Sequence, residues 1–571
     1  MSKFFWGLIA FLSLFLTVLA KIQLLAQDFK LADDSVRNVK LIWTSDSKAE
    51  KFRVYRKSSD SGFQALASGP FRSYDDYDVP EGPHSYQVFS LGVDPAEGSN
   101  VVTRNPLPSE TLEGFSSYDN IKSEKLDIRS KIHLDDTYYE YHLVSDKEGM
   151  SAIKEFSSLD GYTFEEHRVV LTRKEVCTGS PKGTCKLESL SFVQNPTTTE
   201  VVMWAHWEEA GGYGKGEAAV GYGRPGQGSW KFGGSSRPLG HDSRDLAFFV
   251  DVDQSGYVIS STNTNRDMNI YRLTPDWHQV KELVATVLKG QAREAPAMIH
   301  HEGMYYLFTS IAAGWYPSTG KYISASNIAG PWSENQIIGN LGGFSAQSGE
   351  IVKIGSSFVM RANKWRIPDI DPEGTPLRQV LLIISVHKGA ATCAFYPEVL
   401  YRDTGDNARA YGVQNGRIVS VGKPVASTGA AKDHPETLAN SGVNTRPRSF
   451  FQPTSVPFIY AVDLGAVHKL RHIELTTFLT SGSEAAAQFI VEGSLKANGP
   501  YKPFLDQSNN TRVGFVSAPV LNDFNCRYVV VKVQNITNMH NKRPGRPGVH
   551  EFTVFAEPLS KSTSASRPSS V

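Results

Sequence analysis

The stretch Leu246–Ser260, LAFFVDVDQSGYVIS, is an apolar run, a polar turn and a second apolar run. Alternating apolar strands around a tight polar turn read as an antiparallel hairpin. The same pattern recurs at 138–149 (YYEYHLVSDKEG), 190–207 (LSFVQNPTTTEVVMWAHW), 297–310 (AMIHHEGMYYLFTS) and 350–362 (EIVKIGSSFVMRA). The copies lie roughly 50 to 60 residues apart, the length of one propeller blade with its loops. Five hairpins predict five blades over residues 106–425. An unrelated series of hairpins in a sandwich is the competing reading, and the regular spacing favours the propeller.

The flanking segments are also all-β. Residues 28–105 hold short strands such as VKLIWTS (39–45), KFRVYRK (51–57) and HSYQVFSLG (84–92) between turn clusters. With a Trp in an early strand and a Tyr in a late one, this part resembles a fibronectin type III sandwich. Residues 426–440, rich in Ala, Gly, Ser and Thr, read as a linker. Residues 441–557 open with YAVDLGAVHKLRHIELTT (460–477) and close with RYVVVKV (527–533) and PGVHEFTVFAE (547–557). The Asp-Leu-Gly after a strand and the Glu-Phe-Thr-Val-Phe ending resemble a discoidin-type (factor 5/8 type C) jelly roll, the fold of family 32 carbohydrate-binding modules. The Ser-rich residues 558–571 read as a disordered tail.

Composition narrows the function classes. The 571 residues carry 59 basic and 59 acidic side chains, so no polybasic footprint for nucleic acid emerges. The 23 Tyr, 30 Phe and 9 Trp suit sugar recognition, although β-propensity accounts for most of these rings. Lys3 followed by the apolar run Phe4–Ala20 reads as a signal peptide, assigned to residues 1–27, with cleavage candidates after Ala20 and Ala26. An uncleaved anchor is the alternative. The expected location is secreted, periplasmic or cell-surface, with no membrane span after cleavage. Cys177 and Cys185 bracket CTGSPKGTC and could close a disulfide in an oxidising compartment; Cys393 and Cys526 read as buried singles. No cysteine spacing suggests zinc, and no phosphate loop, nucleophile elbow or HExxH occurs.

Glycoside hydrolysis needs a carboxylic acid on the leaving oxygen and a group that handles water or the anomeric carbon. In a propeller such groups come one per blade, near strand ends. Glu188, Asp245, Glu294 and Gln347 meet that spacing.

The central region resembles glycoside hydrolase family 43, in its exo-β-1,3-galactanase branch. The likeness is carried by SRDLAFFVDVDQSGYVISSTNTNRDMNIYRLTPDW (243–277), REAPAMIHHEGMYYLFTSIAAGWYPSTGKY (293–322), ASNIAGPW (325–332) and FSAQSGEIV (344–352). The resemblance implies Glu294 as general acid, Asp245 as the residue that orients it and holds up its proton affinity, and Gln347 near the attacking water. It implies Glu188 and Tyr213 as substrate contacts. Ser189-Leu190 stand where the branch carries Arg-Pro after that Glu. Trp315 and Trp365 are candidate sugar platforms; His206 and His241 are candidate pocket residues. Asp242 competes with Asp245, and Glu350 with Gln347, though alternation sets Glu350 on the opposite face.

The function expected is inverting, exo-acting hydrolysis of β-1,3-galactan (arabinogalactan) chains. It requires no cofactor or metal and leaves room for a structural calcium. Other family specificities (arabinofuranosidase, xylosidase) and a non-catalytic sugar-binding adhesin are the alternatives.

Overall fold

The computed structural model describes residues 22–32, 38–45, 49–59, 61–93, 97–105, 115–123, 131–365, 377–403, 408–443, 445–479 and 485–557. The chain divides into two compact units, Met1–Asp28 with Ser35–Glu110, and Phe29–Asp34 with Thr111–Val571.

In the first unit, Gln64–Gly69, Lys51–Ser58, His84–Leu91 and Val102–Arg104 form one sheet in that order. Asn38–Ser45 pairs with Ser73–Asp76 on one side and with the strand opening at Ile22 on the other. Strict alternation in HSYQVFSL buries every second residue. Of these, Tyr86 and Val88 meet Trp43, Leu41 and Leu24 in one core. The strand Ile22–Leu31 begins within the residues 1–27 expected as a signal peptide, and Ile22, Leu24 and Ala26 belong to the core of this sandwich. Residues 1–21 and the tail 558–571 lie outside the described residues.

In the second unit five four-stranded sheets follow one another, each formed from strands consecutive in the chain: Ile132–Thr172, Cys185–Ser236, Leu246–Val287, Arg293–Ile337 and Ile351–Phe395. This is the propeller arrangement expected. Its turns follow from sequence: Glu302-Gly303 and Lys388-Gly389 all have positive φ, the type I′ geometry that matches strand twist. Strands buried on both faces knit neighbouring sheets. In Val201–Glu209, Val201, Met203, Ala205 and Trp207 pack toward the first sheet, while Val202 and Trp204 pack toward the third. Equivalent cores join the third sheet to the fourth and the fourth to the fifth. Ser116–Asp119, just before the first sheet, pairs with Glu398–Arg402, just after the fifth. Asn120 adds bonds to Leu381 and Tyr396, so the segments flanking the five sheets clasp each other.

The remaining residues build a last sheet around the long strands Phe458–Thr477 and Phe515–Asn538, enclosing Phe451, Phe489, Val531 and Phe552. The expected linker is not one. Arg417–Ile418 already pairs with Ala556 and Phe555, Val425–Ser427 pairs with Val462–Tyr460, and Ala439 is wholly buried in this core. The propeller therefore ends before residue 417. Small residues that resemble a spacer are here the parts that fit closely against a sheet. Cys177 and Cys185 form a disulfide, and Cys393 and Cys526 are buried thiols.

Candidate active site

The first strands of the second, third, fourth and fifth sheets lie side by side, and the candidate residues sit at or just before them. Two of these strands carry the same irregularity. The register jumps between Glu188 and Ser191, and again between Glu294 and Ala297, with Ser189 and Ala295 at positive φ. A bulge re-aims the side chain beside it, and here it does so next to both glutamates.

Four polar contacts connect the positions. Ser189 Oγ donates to Asp245 Oδ1 at 3.1 Å, and the Ala295 N–H donates to Asp245 Oδ2 at 3.1 Å. Gln347 Nε2 donates to Glu294 Oε1 at 2.8 Å. Asn265 Nδ2 approaches Glu294 Oε2 at 3.3 Å, leaving Asn265 Oδ1 buried without a partner. Turning that amide over would let its oxygen accept the proton of a neutral Glu294.

The electrostatics separate the carboxyl groups. Burial, and then the neighbouring Asp245 charge, pushes Glu294 up to about 8. The Arg293 charge offsets this only in part, since its guanidinium bonds to Thr309 and Thr319 and not to the carboxyl. Burial also raises Asp245, opposed by His206 and the donors Ser189 and Ala295. The His206 charge favours an ionised Asp245, and the Asp245 charge in turn raises Glu294, which makes Glu294 the proton holder.

Glu188 behaves oppositely. Burial would lift its carboxyl, but His206, the Tyr213 hydroxyl and Lys186 together hold it below the usual range. Tyr213 donates to Glu188 Oε1 at 2.8 Å, and Lys186 stands over the Tyr213 ring. His206, buried, has Nδ1 3.4 Å from Glu188 and Nε2 3.1 Å from Glu208. Glu208 in turn accepts the Lys215 and Gly216 N–H groups, pinning the loop that carries Tyr213. Trp315 is exposed, and its ring lies 6.4 Å from that of Trp365. Trp365 donates its indole N–H to Gln347 Oε1.

The competitors fall away from this cluster. Asp242 accepts from Thr262, Asn263 and Thr264. Glu350 pairs with Arg361, and His241 is exposed. Sequence reasoning missed Asn265 and the Glu208 anchor, and gave Trp365 no part beside Gln347; no spacing pattern marks them. Among the described residues no three His, Cys, Asp or Glu side chains gather as a metal site.

Residues 208–349 match the family model described as glycosyl hydrolases family 43. No curated protein matches the chain. Among solved structures, an exo-β-1,3-galactanase from Clostridium thermocellum is 22% identical, over 75% of this chain and 92% of that one, with a TM-score of 0.46. An exo-β-1,3-galactanase from Phanerochaete chrysosporium with galactose is 21% identical, over 74% and 95%, with a TM-score of 0.48.

Proposed function

We propose that the chain is a family 43 glycoside hydrolase that releases sugar from the ends of β-1,3-linked galactan by an inverting, single-displacement mechanism. The observation that carries the reading is Glu294, a buried carboxyl raised to about 8 beside Asp245. At neutral pH such an acid keeps the proton that the leaving oxygen needs. Asp245 holds that proton affinity up. By the galactanase resemblance Gln347 orients the water; with no carboxylate base beside it, the proton the water loses as the new C–O bond forms passes to solvent. The ionised Glu188 accepts from sugar hydroxyls, Tyr213, whose O–H is given to Glu188, offers its oxygen as a further acceptor, and Trp315 offers an exposed ring face.

The choice of galactan rests on the pairing of Glu188 with Gln347, the pattern of the galactanase branch; arabinofuranosidases and xylosidases of the family keep an Asp base. We assign the N-terminal sandwich to the fibronectin III type, on its strand order, and the C-terminal sheet to the discoidin type, on its sequence ending. Export is supported by the apolar N-terminal run and by the Cys177–Cys185 disulfide.

A reducing-sugar assay on β-1,3-galactan, arabinan and xylan tests the reading. Release from β-1,3-galactan alone is expected. Release from arabinan or xylan instead would reassign the specificity, and release from none of the three would favour the adhesin.

A further inference from the structure

Two loops at the mouth of the fourth and fifth sheets hold the site, and both rest on the C-terminal sheet. The segment following the strand Met304–Ile311 contains Ala313, whose N–H donates to Glu294, and then Trp315 and Tyr316. The segment Gly343–Ser345 leads directly to Gln347. These loops interlock: Thr319 Oγ1 donates to the Leu341 carbonyl at 2.8 Å, and a Cβ on Gly343 would fall 2.3 Å from the Ser318 carbonyl oxygen. A Cβ on Gly342 would fall 2.4 Å from the Gly514 carbonyl oxygen, so only glycine permits that approach. Phe344 and Phe395 pack edge-on against Phe515. Tyr316 Oη faces His540 Nδ1 at 3.4 Å. The C-terminal region is thus docked on the loops of the site, not tethered beside them.

The C-terminal loop at this junction, Met539–Pro547, is cationic. His540, Lys542, Arg543 and Arg546 are all exposed. Among the described residues none of Lys542, Arg543 and Arg546 forms a salt bridge; Arg546 lies over the Phe450 and Phe478 rings. The loop has its own framework, since the Asn538 side chain accepts the His540 and Asn541 N–H groups and Asn538 N–H donates to the Arg543 carbonyl. From Ala313 to Tyr316 is three residues, at most about 11 Å. The loop thus touches, through His540, the segment that carries Ala313 and Trp315 beside Glu294. The ionised Glu188 and Asp245 make the centre of the site unfavourable for an anion. The uncompensated charge at 540–546 makes its edge favourable for one.

We propose that Met539–Pro547 is a subsite of this cleft that takes a carboxylated sugar unit of the glycan bound at Glu294. The proposal rests on the glycosidase reading and adds to it a preference for anionic chains.

The test uses the full chain with β-1,3-galacto-oligosaccharides that are neutral, or carry one carboxylated sugar, or carry one sulfated sugar. The quantity read is the ratio of kcat/KM for the carboxylated over the neutral chain. The wild type is expected to prefer the carboxylated chain, less so at high salt. Lys542→Ser with Arg543→Ser should cut that ratio about fivefold, as two exposed charge contacts would. A matching gain on the sulfated chain would mean that the loop reads charge alone. A ratio near one in the wild type, or a ratio unmoved by the double substitution, overturns the subsite. Titration of the same oligosaccharides into Glu294→Gln reads the preference as binding. If the wild type fails to hydrolyse galactan while that preference persists and is lost in the double variant, the galactanase reading falls and the subsite stands.

Discussion

Gln347 holds Glu294 through its amide nitrogen, at 2.8 Å, because Trp365 occupies its amide oxygen. An indole N–H can only donate, so the amide has one orientation. Trp365→Phe removes the donor and frees the amide to turn. The loss should be about 1 kcal/mol, or roughly fivefold in kcat, with KM less affected. A change confined to KM would mean that Trp365 serves as a sugar platform and does not set the amide.

Asp245→Asn should move the pH profile in a defined direction. The Asp245 charge contributes to the raised affinity of Glu294 for its proton, after burial. Removing it lowers that affinity, so the alkaline limb of kcat/KM, where the acid loses its proton, should shift to lower pH. A limb that stays in place would detach Asp245 from the acid.

His206→Gln should weaken substrate binding more than turnover. Burial alone would lower the His206 affinity for protons, but Glu188 and Glu208 outweigh it and raise it, so the imidazolium persists above its usual range. KM should rise roughly tenfold, the worth of a hydrogen bond to a charged group. The wild-type increase of KM with pH, as His206 discharges, should vanish in the variant. An unchanged pH dependence would show that His206 only fills space.

Glu551 gives a stability prediction away from the site. It is buried, and burial pushes its carboxyl up to about 8 against the N–H groups of Gly442, Val443 and Ser441. A folded affinity above the unfolded one means that the native state holds the extra proton. That stabilisation is complete below pH 4.5 and is lost as pH rises towards 8. Glu551→Gln should flatten the fall of Tm between pH 5 and 8, by on the order of a couple of degrees. Parallel curves would place the proton elsewhere. Glu294 titrates in the same window in both proteins and cancels.

Much of this was legible in the sequence because its signals are local. Each blade hairpin, such as Leu246–Ser260, carries its own alternation and turn, and the site residues mark strand starts. What escaped is set by contacts between distant segments. Val425–Ser427 is too short to show a period, and only its partner Tyr460–Val462 makes it a strand. The strand at Ile22 is continuous with an apolar leader-like run and cannot be told from it by composition. Asn265, and Trp365 as the partner of Gln347, act through approaches across 29 and 18 positions that no spacing rule encodes.

The most direct test is release of sugar from unactivated β-1,3-galactan by the wild type and by Glu294→Gln, with the anomer of the first product followed by NMR. The substitution keeps size and an acceptor oxygen but cannot deliver a proton. General acid help is worth roughly two to four orders of magnitude, so the variant should lose at least a hundredfold in kcat while still binding, and the wild-type product should appear with inverted configuration. Near-native turnover by Glu294→Gln, or a retained anomer from the wild type, would contradict the account.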